Sequence, residues 1–433
     1  MTILLGVALL LGLIALGFPI AFALGIAGTL CLLVIAPAPV LPGLMEGVVH
    51  HTTANFVLLT IPMFVLMSEV LSAGGVARDL MLACGRLLRR VRGGLAITAV
   101  MAGAVLAAAS GSSTAAVAAI ARSTFPTMKA LGYQPGFAVG TISVAGTLAI
   151  MIPPSIAFVV YGIISEESIG KLFIAGILPG LLTAAGYILT ITLCVWARPE
   201  LAPRRQDRPV ELVDGKPAAE ERGRVWPVLL LIVVVLGALY SGVATPSEVG
   251  ALGALGALVI TLAMRRLNGR GFAEAIGHTL RASTMIISII FGAVLFGYFM
   301  AFTQVTGEIL DWIARSELSP HLVLALILVF YVLLGMFMDQ FAIIVLTVPI
   351  THAIATGLGF DGIWFGVLIV KTAEIGLITP PVGLNIFIAS ASTGVPTRQG
   401  FAGVLPFVVT EIVLLVILVA FPSITLFLPN LMR

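Results

Sequence analysis

Four short runs of polar, glycine and proline residues interrupt the apolar segments of this 433-residue chain, and they are where its chemistry can lie. Two are the runs Ser110-Gly-Ser-Ser-Thr114 and Gly335-Met-Phe-Met-Asp339. The other two contain proline pairs, Ile152-Pro-Pro-Ser155 and Thr379-Pro-Pro-Val-Gly383, and Asn385 follows the second. A backbone group without a partner in hydrocarbon is costly, so such breaks are expected where something binds them.

The breaks offer oxygen ligands of the kind that an alkali cation takes. Proline lacks an N–H and frees the carbonyl four residues earlier, which is Ala149 for Pro153 and Gly376 for Pro380. These carbonyls and the Ser and Thr hydroxyls suit a cation, whereas inward-pointing helix N-termini suit a carboxylate. Asp339 is the only acid in 319–356, and an acid within a membrane segment indicates a functional role.

Each of these features also has a purely structural explanation. A proline pair can be a kink, Ser110–Thr114 can be a small-residue packing patch, and Asp339 can cap a half-helix. Lys371 and Glu374 lie three residues apart on an apolar segment and form either a structural pair or a substrate contact. The remaining acids of the apolar segments are expected near the membrane interfaces: Glu69, Glu248 and Glu411.

The amino-acid composition indicates that the breaks lie in a protein surrounded by lipid rather than by water. The chain is 60% hydrophobic and 10% charged, with a mean hydropathy of +1.16. Soluble globular proteins are about 45–50% apolar and about 25% charged. We therefore expect an all-α polytopic membrane protein. Because the five histidines have no metal-ligand spacing and the chain has neither a phosphate loop nor a Ser/His/Asp arrangement, we expect no enzyme and no use of ATP.

Apolar segments of about 20 residues, the length that spans a bilayer, recur in the same order in two halves of the chain. A hydrophilic linker at 198–224, with seven Lys or Arg and six Asp or Glu, separates the halves. The first half, 1–197, is predicted to contain an interfacial arm, a re-entrant hairpin and a broken helix, at 76–93, 94–128 and 135–165. The second half, 225–433, is predicted to contain the same three elements at 303–317, 319–356 and 361–391.

A single offset of 227 residues relates the halves, which indicates a duplication. It relates Pro19 to Pro246, Ser112 to Asp339, Gly132 to Gly359, and the pair Pro153-Pro154 to Pro380-Pro381.

The charges of corresponding loops indicate how the two halves are oriented, because basic loops remain in the cytoplasm. The predicted loop 36–52 has no Lys or Arg but its counterpart 263–279 has three Arg, and the first arm has five Arg but the second only Arg315. These differences predict inverted repeats, with a cytoplasmic linker and both termini outside; such repeats with broken helices are typical of secondary transporters.

The same motifs resemble those of a known family. Gly111-Ser-Ser-Thr-Ala115, Met151-Ile-Pro-Pro-Ser-Ile156, Pro179-Gly180, Gly335–Asp339 and Glu374-Ile-Gly-Leu-Ile-Thr-Pro-Pro-Val-Gly-Leu-Asn385 are similar to the large, DctM-like subunit of tripartite ATP-independent periplasmic (TRAP) transporters. The resemblance covers essentially the whole chain. It implies sodium-coupled import of a small organic acid, such as a C4-dicarboxylate, across the bacterial inner membrane by an elevator mechanism.

The resemblance also implies site residues and partners. One sodium site would join Ser110, Gly111, Ser112, Ser113 and Thr114 to Ala149, and a second would join Gly335 and Asp339 to Gly376 and Thr379. Substrate would lie between them, near Pro154, Ser155, Thr379, Pro380, Pro381, Gly383 and Asn385. The implied partners are a separate small four-helix membrane subunit (DctQ-like) and a periplasmic substrate-binding protein (DctP-like).

Two other functions use the same features. A stand-alone sodium/divalent-anion symporter also has hairpins and inverted repeats but needs no binding protein. An ion channel or structural membrane scaffold with the breaks in a pore would show no saturable uptake and no fixed ratio of sodium to solute.

Overall fold

The computed structural model describes residues 2–37, 39–88, 91–110, 112–202, 226–316 and 318–432. Gly111, Arg89, Arg90 and the linker residues 203–224 lie outside the described residues, and the side chain of Ser110 is also outside them. Twenty α-helices and two 3₁₀ turns make up the described parts of the chain, which contain no β-strand. The predicted all-α fold is confirmed.

Most helices of the first half have a counterpart with similar bounds in the second half. Ten helices precede the linker: α1 (Thr2–Ala15), α2 (Ile20–Ile35), α3 (Leu41–Thr53), α4 (Thr60–Ala73), α5 (Val76–Leu87), α6 (Gly94–Ser110), α7 (Ser113–Ala130), α8 (Pro135–Met151), α9 (Ile156–Ser165) and α10 (Ile169–Ala197). Ten follow it: α11 (Trp226–Tyr240), α12 (Pro246–Ala263), α13 (Gly269–Phe302), α14 (Val305–Arg315), α15 (Pro320–Gly335), α16 (Gln340–Gly357), α17 (Gly362–Leu377), α18 (Leu384–Thr393), α19 (Thr397–Ala420) and α20 (Pro422–Asn430).

The two segments treated as loops in the charge comparison are largely helical. Within 36–52 the chain forms most of α3, and 269–279 begins the long helix α13. The halves differ here, because the first is interrupted at 54–59 where α13 is continuous. Asn55 accepts the N–H of Val57 at 2.9 Å and begins a 3₁₀ turn there. Asparagine at such a position competes with helix propagation.

Short polar side chains fix where several helices begin. Thr245 and Glu248 form a capping box at α12, each bonding the other's backbone N–H. Asp361 accepts the N–H of Trp364 at 2.9 Å and starts α17. Ser112 and Asp339 cap α7 and α16 in the same way, so both hairpin turns end at a polar cap.

Helices α8 and α17 form the centre of the molecule. Every residue of α17 is buried, and so is every residue of α8 after Pro135. The pair α6/α7 packs against α8, and the pair α15/α16 packs against α17. In each half of the chain, the helix pair predicted as a hairpin therefore packs against the helix that ends just before the proline pair of that half.

Contacts between the halves occur in matched pairs. α7 packs on α18 and α16 on α9, while α8 packs on α19 and α17 on α10. On the periphery α2 packs on α13, and α12 packs on α4. The two members of each set are related by the 227-residue offset, so the halves interlock rather than lie side by side.

The outer helices suit a lipid environment. Among the described residues, six helices are long and apolar enough to span a membrane, and α8 with α9, bent by 44°, would make a seventh. Large apolar side chains are exposed on the outer helices, including Trp196, Val233 and Val259. Exposed apolar surface of this kind is stable in hydrocarbon and unfavourable in water.

Candidate functional site

The turn between α6 and α7 has several hydroxyl groups close together. Ser112 Oγ receives the N–H of Ala115 at 3.5 Å and lies 3.1 Å from Thr114 Oγ1. Ser113 is buried, and its Oγ accepts a hydrogen bond of 2.6 Å from Nδ2 of Asn385. The first hairpin turn thus contacts the helix that follows the second proline pair, in the other half of the chain.

Asn385 is the most informative polar residue of this contact. It is 0% exposed and lies in the first turn of α18. Ser143 Oγ of α8 lies 3.4 Å from its carbonyl oxygen. Its side-chain Oδ1 is buried and has no hydrogen-bond partner among the described residues. A buried carbonyl oxygen of this kind is an available ligand, because leaving it without a partner is unfavourable.

The first proline pair is buried beside the same hairpin. Ser155 caps α9 by accepting the N–H of Phe158 at 3.4 Å, and Pro154 and Ser155 are both buried. Ala149 packs against Ala116 of α7, and Ser113 O lies 3.0 Å from where a Cβ on Gly146 would be. The Ser112–Thr114 turn and the Ala149 carbonyl predicted to join it therefore lie in adjacent, closely packed segments.

At the second hairpin turn, the backbone of Gly335 lies directly against the backbone of Gly376, which precedes the second proline pair. A Cβ built on Gly376 would lie 2.3 Å from Gly335 Cα and 2.4 Å from Gly335 C. A Cβ on Gly335 would lie 2.8 Å from the carbonyl oxygen of Ala373. Only glycine allows this approach, and it brings together the two segments that the sequence predicted for a second cation site.

Asp339 occupies the end of that turn and caps α16. Its Oδ2 accepts the N–H of Phe341 at 3.2 Å. The capping alternative raised from the sequence is therefore the geometry found here, and a cap leaves other lone pairs of the carboxylate available.

The second proline pair differs from the first in exposure. Pro380 and Pro381 are exposed and Thr379 is partly buried, with its Oγ1 donating to Ile375 O at 2.5 Å. Gly383 is buried with φ +59, and a Cβ there would lie 2.7 Å from the ring of Phe401. The predicted substrate residues thus fall into an exposed set around Thr379 and a buried set at Pro154 and Ser155. Among the described residues no hydrogen bond joins Ser155 to Thr379 or Asn385.

A charged cluster lies in the core, and it corrects the predicted pairing of Lys371 with Glu374. Lys371 Nζ lies 2.6 Å from Glu411 Oε2 and 2.9 Å from Thr183 Oγ1, with both charged side chains at most 1% exposed. Glu411, which the sequence predicted near a membrane interface, is buried within the protein beside Lys371. Lys371 was paired in the sequence with Glu374, but both carboxylate oxygens of Glu374 are buried without a hydrogen-bond partner among the described residues.

Gln340 is a residue that the sequence reasoning missed. It is 3% exposed at the start of α16, and its Oε1 has no partner among the described residues. The 227-residue offset relates it to Ser113, so the register of the repeat was a signal that could have found it. Both hairpins therefore have a buried polar side chain at the residue that follows the cap.

These groups are hard oxygen donors rather than transition-metal ligands. Within the described parts of the chain no three His, Cys, Asp or Glu side chains are grouped as a metal site. Backbone carbonyls, hydroxyls and an amide oxygen beside helix ends are the groups that bind alkali cations in membrane proteins.

Comparison with known proteins gives one consistent result. The family described as "Tripartite ATP-independent periplasmic transporter, DctM component" matches residues 7–424. The C4-dicarboxylate TRAP transporter large permease protein DctM of Pseudomonas aeruginosa is 38% identical over 94% of both chains. The 2,3-diketo-L-gulonate TRAP transporter large permease protein YiaN of Escherichia coli is 31% identical over 98% of both.

A fused relative and a solved structure extend the comparison. The isethionate TRAP transporter permease protein DctMQ of Oleidesulfovibrio alaskensis is 32% identical over 95% of this chain and 64% of its own length. The crystal structure of the YdaH transporter of Alcanivorax borkumensis covers 90% of both chains with a TM-score of 0.68 and 17% identity. At that identity the likeness to YdaH concerns the fold alone.

Proposed function

The chain belongs to the DctM family of tripartite ATP-independent periplasmic transporters, and we propose that it imports a small organic acid together with sodium. The family consists of large permease subunits, a class of transporter component rather than of enzyme, and the chain is a multi-pass inner-membrane protein. Relatives named for C4-dicarboxylates and 2,3-diketo-L-gulonate support a carboxylate substrate.

One observation carries the sodium proposal: each hairpin turn lies against a helix that ends at a proline pair. Ser113 and Ala116 lie against α8 and α18, and Gly335 lies against Gly376. In the proposal, the first ion is held by Ser110, Gly111, Ser112, Ser113 and Thr114 with the carbonyl of Ala149. The second is held by Gly335, Asp339, Gly376 and Thr379. The buried, unpartnered Oδ1 of Asn385 supports a polar ligand between the two breaks.

We propose that substrate binds where the second break is open. Thr379, Pro380 and Pro381 are the accessible members of the predicted set, and α18 begins three residues after Pro381 at Leu384, with Gly383 as its N-cap. The N-terminus of α18 directs backbone N–H groups toward this region, and such groups favour a carboxylate. Pro154, Ser155 and Asn385, which are buried, would contact substrate only after the hairpin turns separate from the breaks.

The movement proposed is an elevator. The mobile body would contain both hairpins and both broken helices, together with α10 and α19, which pack on α8 and α17 and share the buried charged cluster with α17. The remaining helices with α5 and α14 would form the scaffold. The matched packing of α2 on α13 and of α12 on α4 supports a scaffold built from both halves. The same matched pairs, with the charge differences between the halves, support two inverted repeats with the linker in the cytoplasm.

Large permease subunits of this family work with a small membrane subunit and a periplasmic binding protein. We propose that the partners of this chain are separate DctQ-like and DctP-like proteins, the small subunit being a four-helix bundle. The name of the fused relative DctMQ supports a close association of the two membrane components.

The test is uptake of labelled carboxylates into proteoliposomes with an inward sodium gradient. The chain would be assayed alone, with the small subunit, and with both the small subunit and the binding protein. Uptake only with all three and sodium supports the proposal. Sodium-driven uptake by the chain alone would instead identify a stand-alone symporter, and ion conduction without saturable uptake would identify a channel.

A further inference from the structure

The buried charged cluster is part of a path of hydrogen bonds and one ion pair between the two broken helices. Tyr187 OH of α10 lies 2.9 Å from Thr147 Oγ1 of α8 and donates to Glu411 Oε1 of α19. Glu411 Oε2 lies 2.6 Å from Lys371 Nζ of α17. Thr147, Tyr187, Glu411 and Lys371, here called the cross-break chain, are each at most 1% exposed.

The cross-break chain lies close to both breaks along the sequence. Thr147 lies two residues before Ala149, and Lys371 lies five residues before Gly376, so the path joins the C-terminal halves of α8 and α17, the helices that precede the proline pairs. Thr183 Oγ1 accepts a further bond of 2.9 Å from Lys371, which anchors the path to α10 a second time. None of these residues belongs to the sodium sites or the substrate site proposed above.

We propose that the cross-break chain couples the two breaks, so that sodium bound at one favours sodium at the other, with Tyr187 as its central positioning residue. The inference rests on the proposed function, because it presupposes an ion at each break. Its physical basis is that a fully buried polar network has few alternative arrangements, since any broken link leaves a charge or hydroxyl without a partner. Displacing the end of α8 therefore displaces the end of α17, and the reverse holds equally.

Tyr187→Phe is the sharpest perturbation, because it removes one hydroxyl from the middle of the path. Tyr331→Phe is the matched control. Tyr331 is also fully buried, and its hydroxyl bonds Thr347 and, at 2.8 Å, Thr351, all within the second hairpin. Both variants remove a doubly bonded buried hydroxyl, but only the first interrupts the path between the breaks.

The experiment is a sodium titration of uptake in proteoliposomes that contain the complete transporter, with maximal rate, half-saturating sodium and Hill coefficient recorded. For the wild type we expect a Hill coefficient above 1. For Tyr187→Phe we expect a value near 1 and a rise of about fivefold in half-saturating sodium, the lower end of ordinary coupling strengths. The maximal rate should be largely retained, and Tyr331→Phe should keep the wild-type Hill coefficient.

Several outcomes would overturn the inference. These are a wild type without cooperativity, a Tyr187→Phe variant with the wild-type sodium curve, or an equal change in both tyrosine variants, which would indicate general packing. If Tyr187→Phe does not fold, Thr147→Val removes the hydroxyl at the α8 end of the path and is judged by the same criteria. Failure of the proposed function looks different, because wild-type uptake would then be independent of sodium.

Discussion

Replacing Gly376 by alanine is the most direct perturbation of the second hairpin turn. The new methyl group would lie 2.3 Å from Gly335 Cα, 2.4 Å from Gly335 C and 2.9 Å from Met336 N. All three atoms are backbone, so no side chain can rotate away to relieve the clash. The hairpin turn must therefore move away from the break.

The size of that movement follows from the contact distances. An ordinary contact of a Cβ begins near 3.4 Å, so the separation must grow by about 1 Å from the present 2.3 Å. Binding sites must be held to within about 0.5 Å of their productive geometry. A misplacement of about 1 Å can reduce rates by about 100-fold. We expect Gly376→Ala to lower sodium-driven uptake by at least about tenfold.

The assay is initial uptake in proteoliposomes at several sodium concentrations, with thermal unfolding of the purified variant as the measure of folding. Gly297→Ala is the matched control, because it lies in α13 and a Cβ there has no atom within 4 Å. The control should transport normally. Normal sodium-driven uptake by Gly376→Ala would refute the close approach on which the second cation site depends.

Three further substitutions test separate parts of the site in the same assay. Asp339→Asn keeps a good helix cap but removes the charge, so folding should persist while sodium dependence weakens; an unchanged sodium curve would remove Asp339 from the site. Ser113→Ala removes the acceptor for Asn385 and should raise half-saturating sodium about fivefold, the equivalent of one net hydrogen bond of about 1 kcal/mol; an unaltered response would contradict the first site. Gly383→Ala should block uptake, whereas Gly394→Ala, at φ +73 but with open space around it, should only lower stability; equal uptake by both would argue against a tight approach at Gly383.

Local rules in the sequence were enough to predict the four breaks. Glycine, serine and proline act within a few residues, and the predicted hairpin at 94–128 corresponds to α6 and α7. The cap at Asp339 was one of the alternatives that the sequence left open, because a single acid before a helix serves either role. The all-α fold followed from composition alone.

Contacts between distant residues were beyond the sequence. Ser113 and Asn385 are 272 residues apart, and nothing in either segment specifies the other. Lys371 was matched to the nearest acid along the helix, Glu374, although its partner Glu411 lies on another helix. Burial of Glu411 depends on the packing of α19 against α8 and α10, which no local pattern of a mostly apolar helix reveals. The interruption at 54–59 was similarly hidden, because its apolar residues resemble those of a continuous span.

The measurement that tests the central claim most directly is the accumulation ratio of substrate in proteoliposomes with all three components present. With an inward sodium gradient, we predict that the carboxylate accumulates inside above its external concentration. Equalising sodium on both sides should abolish that accumulation and leave only equilibration. Accumulation that survives without a sodium gradient, or that follows a proton gradient instead, would contradict sodium-coupled import.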